Sequence, residues 1–573
     1  MADPAFPVDA GALGRVIGTD DATPLEFWVA VAPGQVVQLD DVVALERRLP
    51  AGDSVRIFGI VGNVRARHEG ARFDSDVFLI ADGVLPAEVS EAAQVQPTRF
   101  EPEVFVPPLP GTLVRRAEGD DRAQALFYDQ MVNRLPAGAS RDGQPLYLNL
   151  DFIDGTRGAH VNISGISGVA TKTSYATFLL YSLFTSGVLG PEAVNTKALV
   201  FNVKGEDLLF LDHPNSALDD ASRAKYAALG LPVSAFPDLG VFAPPTPGDA
   251  NARPNVSSRT RNVRSFFWTI AEFCIEGLLP FLFADAEDDR QQYTIVVHNV
   301  AAHLADARNV QTLDDGSVTI DGNRVTSFRD MVTAIEDHLD PDEPDAFWGG
   351  RAIGAGTINA FIRRLNASVR YIDPLVRARP GNAPRSSNRV DFESQQVTVV
   401  DIHNLNDRAK RFVVGVVLRQ AFERKERSGS ARPLQFVVLD ELNKYAPRDG
   451  SSPIKEILLD MAERGRSLGI ILVGAQQTAS EVERRIVANS SIRVVGRLDS
   501  AEARRDEYGF LPPVQRQRST ILKPGSMFVT QPELPVPLLT EFPFPAWATR
   551  AAEAGALPPL DGEPADPFEG VSS

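Results

Sequence analysis

Two hydrophobic rhythms divide the chain. Over residues 11–90, β-branched and aromatic residues alternate with polar ones in short runs such as "LEFWVAV", "DSVRIFGIVGNVRA" and "SDVFLIADGV", broken by Gly, Pro and Asp. Period-two runs with such breaks predict short strands that close into a small β-barrel, assigned to residues 1–100. Residues 91–112 are rich in proline, and 101–140 read as a linker segment. From about residue 145 the apolar runs become continuous: "GAHVNIS", "KALVFNV" (197–203), "LPVSAFP" (231–237), "QQVTVVDI" (395–402), "PLQFVVLD" (433–440), "GIILVGA" (469–475) and "SIRVVGRL" (491–498). Helical stretches are expected between them at 174–186, 408–427, 453–466 and 480–489. Continuous apolar strands alternating with helices predict an α/β core with a mostly parallel sheet covered on both faces. That core is placed at 141–259 and 391–540. Residues 260–390 show no strand-dense stretch and read as a helical insertion, and 541–573 as a C-terminal tail.

Composition narrows the class. With 573 residues the chain has room for two or three domains. One cysteine, Cys274, excludes an intramolecular disulfide and a cysteine-only metal cluster, and the seven histidines lack metal-ligand spacing. The longest apolar stretch, 266–283, is interrupted by Glu272 and Glu276, so neither a membrane span nor a signal peptide is expected, and a cytoplasmic location is the default. The formal net charge of −17 argues against a protein coated for nucleic acid, while leaving room for a local basic surface.

The candidate chemistry begins in "NISGISGVATKTS". A loop between a buried strand and a helix directs backbone N–H groups and the helix N-terminus at an anion. Gly165 and Gly168 supply the turn, Lys172 a cation, and Thr173 or Ser174 a hydroxyl for Mg²⁺. The spacing departs from G-x-x-x-x-G-K-[ST], because Val169, Ala170 and Thr171 separate Gly168 from Lys172. A Gly/Ser-rich turn capping an ordinary helix is the alternative. Downstream, "QFVVLDELNKYAP" ends an apolar strand in Asp440-Glu441. An Asp there can hold the Mg²⁺ water shell and a Glu can polarise the attacking water; two acids capping the next helix would look the same. The two elements together have the layout of an ATPase core, with ATP and Mg²⁺ as ligands. A later strand ends in Ala475-Gln476-Gln477, where Gln476 can contact the γ-phosphate or the attacking water. Arg464 and Arg466, at the end of a helix, can serve as an arginine finger for a neighbouring subunit or answer the helix dipole.

These pieces, with "GRVIGT" and "IFGIVGNV" before them and "ALVFNVKGEDLLFLD", "RGRSLGIILVGAQQTASEV" and "ANSSIRVVGRL" among them, resemble the HerA-type ATPases of the HerA/FtsK group of ring translocases. The similarity runs from about residue 11 to about 535. It implies a barrel of the HAS type, a RecA-like P-loop core and a homohexamer that moves double-stranded DNA through its central pore. It implies that Lys172 and Thr173 hold phosphate and Mg²⁺, that Asp440 and Glu441 are the metal and water carboxylates, and that Gln476 is the sensor. Arg466 becomes the trans finger, with Arg464 as second choice, and Glu206 matches an acidic position after the second core strand. It also implies a partner docked on the barrel face, a NurA-like nuclease or a defence effector such as a sirtuin-like NAD-consuming enzyme. Two departures stand out: the final loop glycine is replaced by β-branched Thr171, which resists a tightly curled backbone, and Asn202 stands where relatives carry Asp.

Within the insertion, "RRLNASVRYIDPLVRARPGNAPRSSNR" packs Arg363, Arg364, Arg370, Arg377, Arg379, Arg385 and Arg389 into 27 residues with one acid. Such clusters bind phosphate without sequence preference; a solvated face or ion pairs to acidic neighbours is the alternative. The reading is therefore a DNA-translocating ATPase that works with an effector, with a nucleotide-binding scaffold for that effector as its rival.

Overall fold

The computed structural model describes residues 11–69, 71, 73–166, 172–284, 291–339, 346–350, 353–381 and 388–555. By Cα proximity the chain forms two compact units: residues 1–153, 163–171 and 491–542, and residues 154–162, 172–490 and 543–573.

The first unit holds a closed barrel of six strands, each antiparallel to its neighbours: Ala12–Val16, Phe27–Val31, Val42–Arg48, Ser54–Glu69, Glu88–Glu101 and Leu113–Arg116. Its interior is filled by the inward residues that the alternation marks, among them Phe27, Val29, Val55, Ile57, Val95 and Val114. The barrel does not stop at residue 100. Leu113–Arg116, inside the stretch read as linker, pairs with both Ala12–Val16 and Val42–Arg48 and closes the ring. Four residues are too short to show a period, so the strand hides behind the prolines that precede it. The same unit carries five antiparallel strands: Arg134–Ala139, Pro145–Asn149, Ile492–Val495, Ser526–Thr530 and Leu538–Glu541. The run "SIRVVGRL", expected among parallel strands, thus pairs antiparallel with residues 528–530.

The second unit is built on six parallel strands, labelled β1 (Lys197–Asn202), β2 (Leu239–Ala243), β3 (Val263–Ser265), β4 (Val397–Asp401), β5 (Gln435–Asp440) and β6 (Ile470–Gln476). Their order is β3-β2-β4-β1-β5-β6. The continuous apolar runs have the expected cause: every residue of β4, β5 and β6 is buried. β2 lies at 239–243 instead of 231–237, because Pro232 and Pro237 leave the earlier run without the N–H groups a ladder needs. The helices include α1 (Lys172–Thr185), α2 (Asp407–Ser428) and α3 (Pro453–Leu468). α3 has clear end signals: Ser452 accepts from the Lys455 N–H at 3.2 Å, Pro453 opens the first turn, and Gly469 closes it at φ 69°. A Cβ at Gly469 would meet the Ala431 carbonyl at 1.9 Å, so only glycine fits.

The 260–390 block contains helices Gln291–Ala305, Phe328–His338 and Ala355–Ile372, but also strand β3 and a three-stranded antiparallel sheet, Val310–Thr312, Val318–Ile320 and Asn323–Val325. Asp321-Gly322, with φ of 47° and 82°, makes the two-residue turn that joins the last two strands. The block shares one core with the sheet: Trp268 lies edge-on to Phe412 of α2 at 5.2 Å, and Phe361 and Leu365 belong to the same buried cluster as Val400 and Val437. The tail from 543 to 555 is folded as well. Trp547 is fully buried against Tyr181 and Phe236, with ring centroids at 4.6 and 5.1 Å. Among the described residues no helix is long and apolar enough to cross a membrane.

Candidate active site

The C-terminal ends of parallel strands are where such sheets present polar groups to ligands, and here β1, β5 and β6 supply them. β5 ends in Asp440, whose carboxylate accepts from the Thr173 hydroxyl at 3.1 Å and from the Glu441 N–H at 2.8 Å. Glu441 adopts the left-handed conformation, φ 56° and ψ 41°. That conformation costs a non-glycine residue on the order of 1 kcal/mol, and the Asp440 hydrogen bond helps to hold it.

Three lysines surround this pair. Lys172, the first residue of α1, is buried; burial, tempered by attraction to Asp440, pulls its ammonium down to about 8. Lys204, on the turn after β1, lies 2.9 Å from Glu441 Oε1 and 3.7 Å from Asp440 Oδ2. Lys444, one turn beyond Glu441, lies 2.8 Å from its Oε2. Burial would raise the Glu441 carboxyl, but hydrogen bonds from Lys444 and Lys204 outweigh it and hold the group below the usual carboxylate range. The buried ammonium at a helix start, the hydroxyl and the two carboxylates form a set of hard oxygen donors and cations. That chemistry suits a phosphate chain bridged to a divalent ion.

Gly165 packs against the Arg497 carbonyl, which a Cβ there would approach to 3.3 Å, and the neighbouring Ile166 N–H donates to the same carbonyl at 2.7 Å. Gly168, Val169, Ala170 and Thr171 lie outside the described residues. Ser174 follows Thr173 in α1, and its carbonyl accepts from Thr177. Gln476, fully buried at the end of β6, donates to Asn162 Oδ1 at 2.8 Å. Glu206 turns to Ser257, whose hydroxyl donates to it at 2.7 Å; the charges that bear on Lys172 are Asp440, Lys204 and Glu441. Lys204, two residues earlier, occupies the place by the carboxylates. Arg466 donates to the carbonyls of Gly155 and Thr156 at 2.9 and 2.8 Å, and Arg464 pairs with Glu426 and Asp460. Within one chain neither arginine is brought to the carboxylates, which leaves any arginine-finger role to an arrangement between subunits.

Asn202 has a local explanation. Its Nδ2 donates to Asp401 Oδ1 at 2.9 Å and to the Gly205 carbonyl at 2.9 Å. An aspartate there would face Asp401 as carboxylate against carboxylate. Most of the arginine cluster is also occupied: Arg377 holds the carbonyls of Asp249 and Ala250, Arg379 that of Asp314, and Arg389 the carboxylates of Glu272 and Glu276. Arg364 lies over the Tyr293 ring at 5.1 Å, and Arg385 is outside the described residues. Arg363 and Arg370 stay exposed, seven residues apart and so on one side of Ala355–Ile372.

No protein-family model and no curated protein matches the sequence. Solved structures similar in shape include VirB4 of Thermoanaerobacter pseudethanolicus, with a TM-score of 0.43, 13% identity, and coverage of 72% of this chain and 96% of that one. The unbound monoclinic form of the bacterial conjugative coupling protein TrwBΔN70 gives 0.43 and 10%, covering 75% of this chain and 93% of that one. The plasmid coupling protein TrwB in complex with the non-hydrolysable ATP analogue ADPNP gives 0.41 and 13%, covering 68% and 88%. Likeness at this level leaves the chemistry to rest on the residues themselves.

Proposed function

We propose that this chain is a Mg²⁺-dependent ATPase of the HerA kind, which works as a homohexameric ring that translocates double-stranded DNA. The observation that carries the reading is the meeting of Lys172 and Thr173, at the start of α1, with Asp440-Glu441 at the end of β5. The two pairs stand 267 or more positions apart, and the Thr173–Asp440 contact at 3.1 Å joins the two segments directly. Among the described residues no group of three His, Cys, Asp or Glu gathers to hold a metal alone. Thr173 and Asp440 would therefore hold Mg²⁺ together with phosphate oxygens and water, and the ion would neutralise charge on the phosphates. Lys172 binds and neutralises the phosphate chain. Glu441 orients the attacking water and accepts its proton, and buried Gln476, fixed by Asn162, connects the end of β6 to that event. Lys172, Thr173 and Ser174 would form the end of the phosphate loop that enters α1. Arg466, or Arg464, would reach a neighbouring subunit's nucleotide by exchanging its bonds within the chain. Among the described residues of the basic cluster, Arg363 and Arg370 are left to meet DNA in the pore. The barrel face would carry the partner, a nuclease or a defence effector, in a cytoplasmic complex.

A second reading is favoured by one observation. Both Glu441 oxygens are engaged by lysine, which lowers the basicity of the water-activating group. A ring that binds ATP, turns it over slowly and mainly organises its effector would be built this way. ATP turnover with and without duplex DNA, on wild type and Lys172→Ala, separates the two. A translocase accelerates several-fold with DNA and the variant is inactive; a scaffold shows the same slow rate with and without DNA. Equal turnover in wild type and variant removes the site from both readings.

A further inference from the structure

The turn after β1 holds a group that the expected ATPase parts do not use. Lys204 is anchored at its root: the Asn202 side chain donates to the Gly205 carbonyl, Asp401 holds that asparagine, and Lys410 Nζ donates to the Val203 carbonyl at 3.1 Å. Its tip is different, with a side chain 43% exposed that rests on Glu441 Oε1. Lys444 already occupies Glu441 Oε2, so Lys204 is the group that closes the remaining oxygen. An ammonium on each oxygen takes up part of the carboxylate's lone-pair capacity and lowers its basicity toward water. Lys204 is also one of the charges that act on Lys172, which places two cations about the same carboxylate pair.

We propose that Lys204 is a terminal-phosphate sensor: it rests on Glu441 without nucleotide and transfers to the terminal phosphate of a bound nucleoside triphosphate, which frees Glu441 Oε1 for water. This rests on the ATPase reading of the site. The exchange follows from the charges. A half-exposed ammonium–carboxylate pair is weak, and a terminal phosphate offers a denser charge and three acceptor oxygens. A diphosphate ends short of that position and leaves Lys204 on Glu441. The device therefore ties the release of the water-activating oxygen to the presence of the phosphate to be cleaved. The fixed root and half-exposed side chain suit it: the stem can pivot without moving the turn.

The test is calorimetric binding of a non-hydrolysable ATP analogue and of ADP, each with Mg²⁺, to wild type, Lys204→Met and Lys204→Arg. Met keeps the length of the stem and removes the charge; Arg keeps the charge. The proposal predicts that Lys204→Met loses about tenfold in affinity for the triphosphate analogue while ADP affinity stays within about twofold, and that Lys204→Arg recovers most of the loss. Equal weakening for both nucleotides, or none for either, overturns it and leaves the ATPase reading standing. Wild type that binds neither nucleotide overturns that reading and the sensor with it. Lys204 is half-exposed at its tip, so both variants are expected to fold, and unchanged thermal melting checks this.

Discussion

Two carboxylates end the two strands that flank β1 in the same parallel sheet, and they do different work. Asp401 pairs in register with Asn202, and Leu439, just before Asp440, pairs with Phe201 on the other flank. Asp401 has a side chain 1% exposed, accepts from Asn202 at 2.9 Å, and is paired with His403 Nδ1 at 2.8 Å. That pairing holds the imidazole above its ordinary value. Its charge is answered by fixed neighbours on the same rim. Asp440 is nearly as buried but faces a hydroxyl and the half-exposed Lys204, with buried Lys172 near and Glu441 next in sequence. An apolar strand ending in an acid is thus not enough to mark a site. A site has cations and hydroxyls delivered from distant segments, whereas a locked acid has its partners within a few residues or across one register pair.

The largest expected effect tests this contrast directly. Asp440→Asn should lower ATP turnover about a hundredfold or more, because in the proposed site it removes a charged metal ligand. Asp401→Asn should change turnover less than about threefold and lower the melting temperature instead. A steady-state assay with a melting curve checks both, and similar turnover losses would dissolve the distinction.

A second locked group, His160, should act through stability alone. It is buried, accepts from the Leu472 N–H at 2.9 Å through Nδ1, and also interacts with the Ala462 backbone. Burial pulls its imidazole down to about 4. The folded state therefore resists the proton that the unfolded chain takes up near pH 6.5. Stability should fall as pH falls from about 6.5 to 4, by about 3 kcal/mol in total, and should be insensitive to this group above that window. His160→Asn keeps an acceptor and tolerates the φ of 67° at this position, and should flatten the slope in denaturant titrations run across that range.

Lys172→Ala should weaken ATP about tenfold to a hundredfold through loss of a charge-assisted contact, read by nucleotide titration, while Asp401→Asn should leave affinity nearly unchanged. Arg466→Ala gives the smallest effect within one subunit, about 1 kcal/mol of stability from the lost bonds to Gly155 and Thr156. If Arg466 also serves a neighbouring subunit, turnover falls in an intact hexamer, and mixing with Lys172→Ala subunits restores part of it.

How much of this was legible in the sequence follows from range. The strands β1, β4, β5 and β6, the helix after the loop, and the Asp440-Glu441 strand end are local patterns and were readable as such. The position of Lys444 three residues after Glu441 was readable too, since that spacing brings side chains together in a helical turn. Lys204 was not, because its meeting with Glu441 depends on β1 lying beside β5, and strand order is not written in either segment. Glu206 was favoured in its place by resemblance, although the turn directs it to Ser257. Trp547 was hidden for another reason: its stretch is extended and proline-rich, so burial leaves no period. The strand Leu113–Arg116 and the small sheet at 310–325 were missed because three or four residues are too few to set a rhythm, although Asp321-Gly322 was a turn signal.

The central claim is that Asp440-Glu441, met by Lys172 and Thr173, is the catalytic centre of an ATPase. ATP affinity and ATP turnover measured side by side on Glu441→Gln test it most directly. The account predicts affinity within a few-fold of wild type and turnover lower by about a hundredfold or more. Turnover that survives the substitution would contradict it.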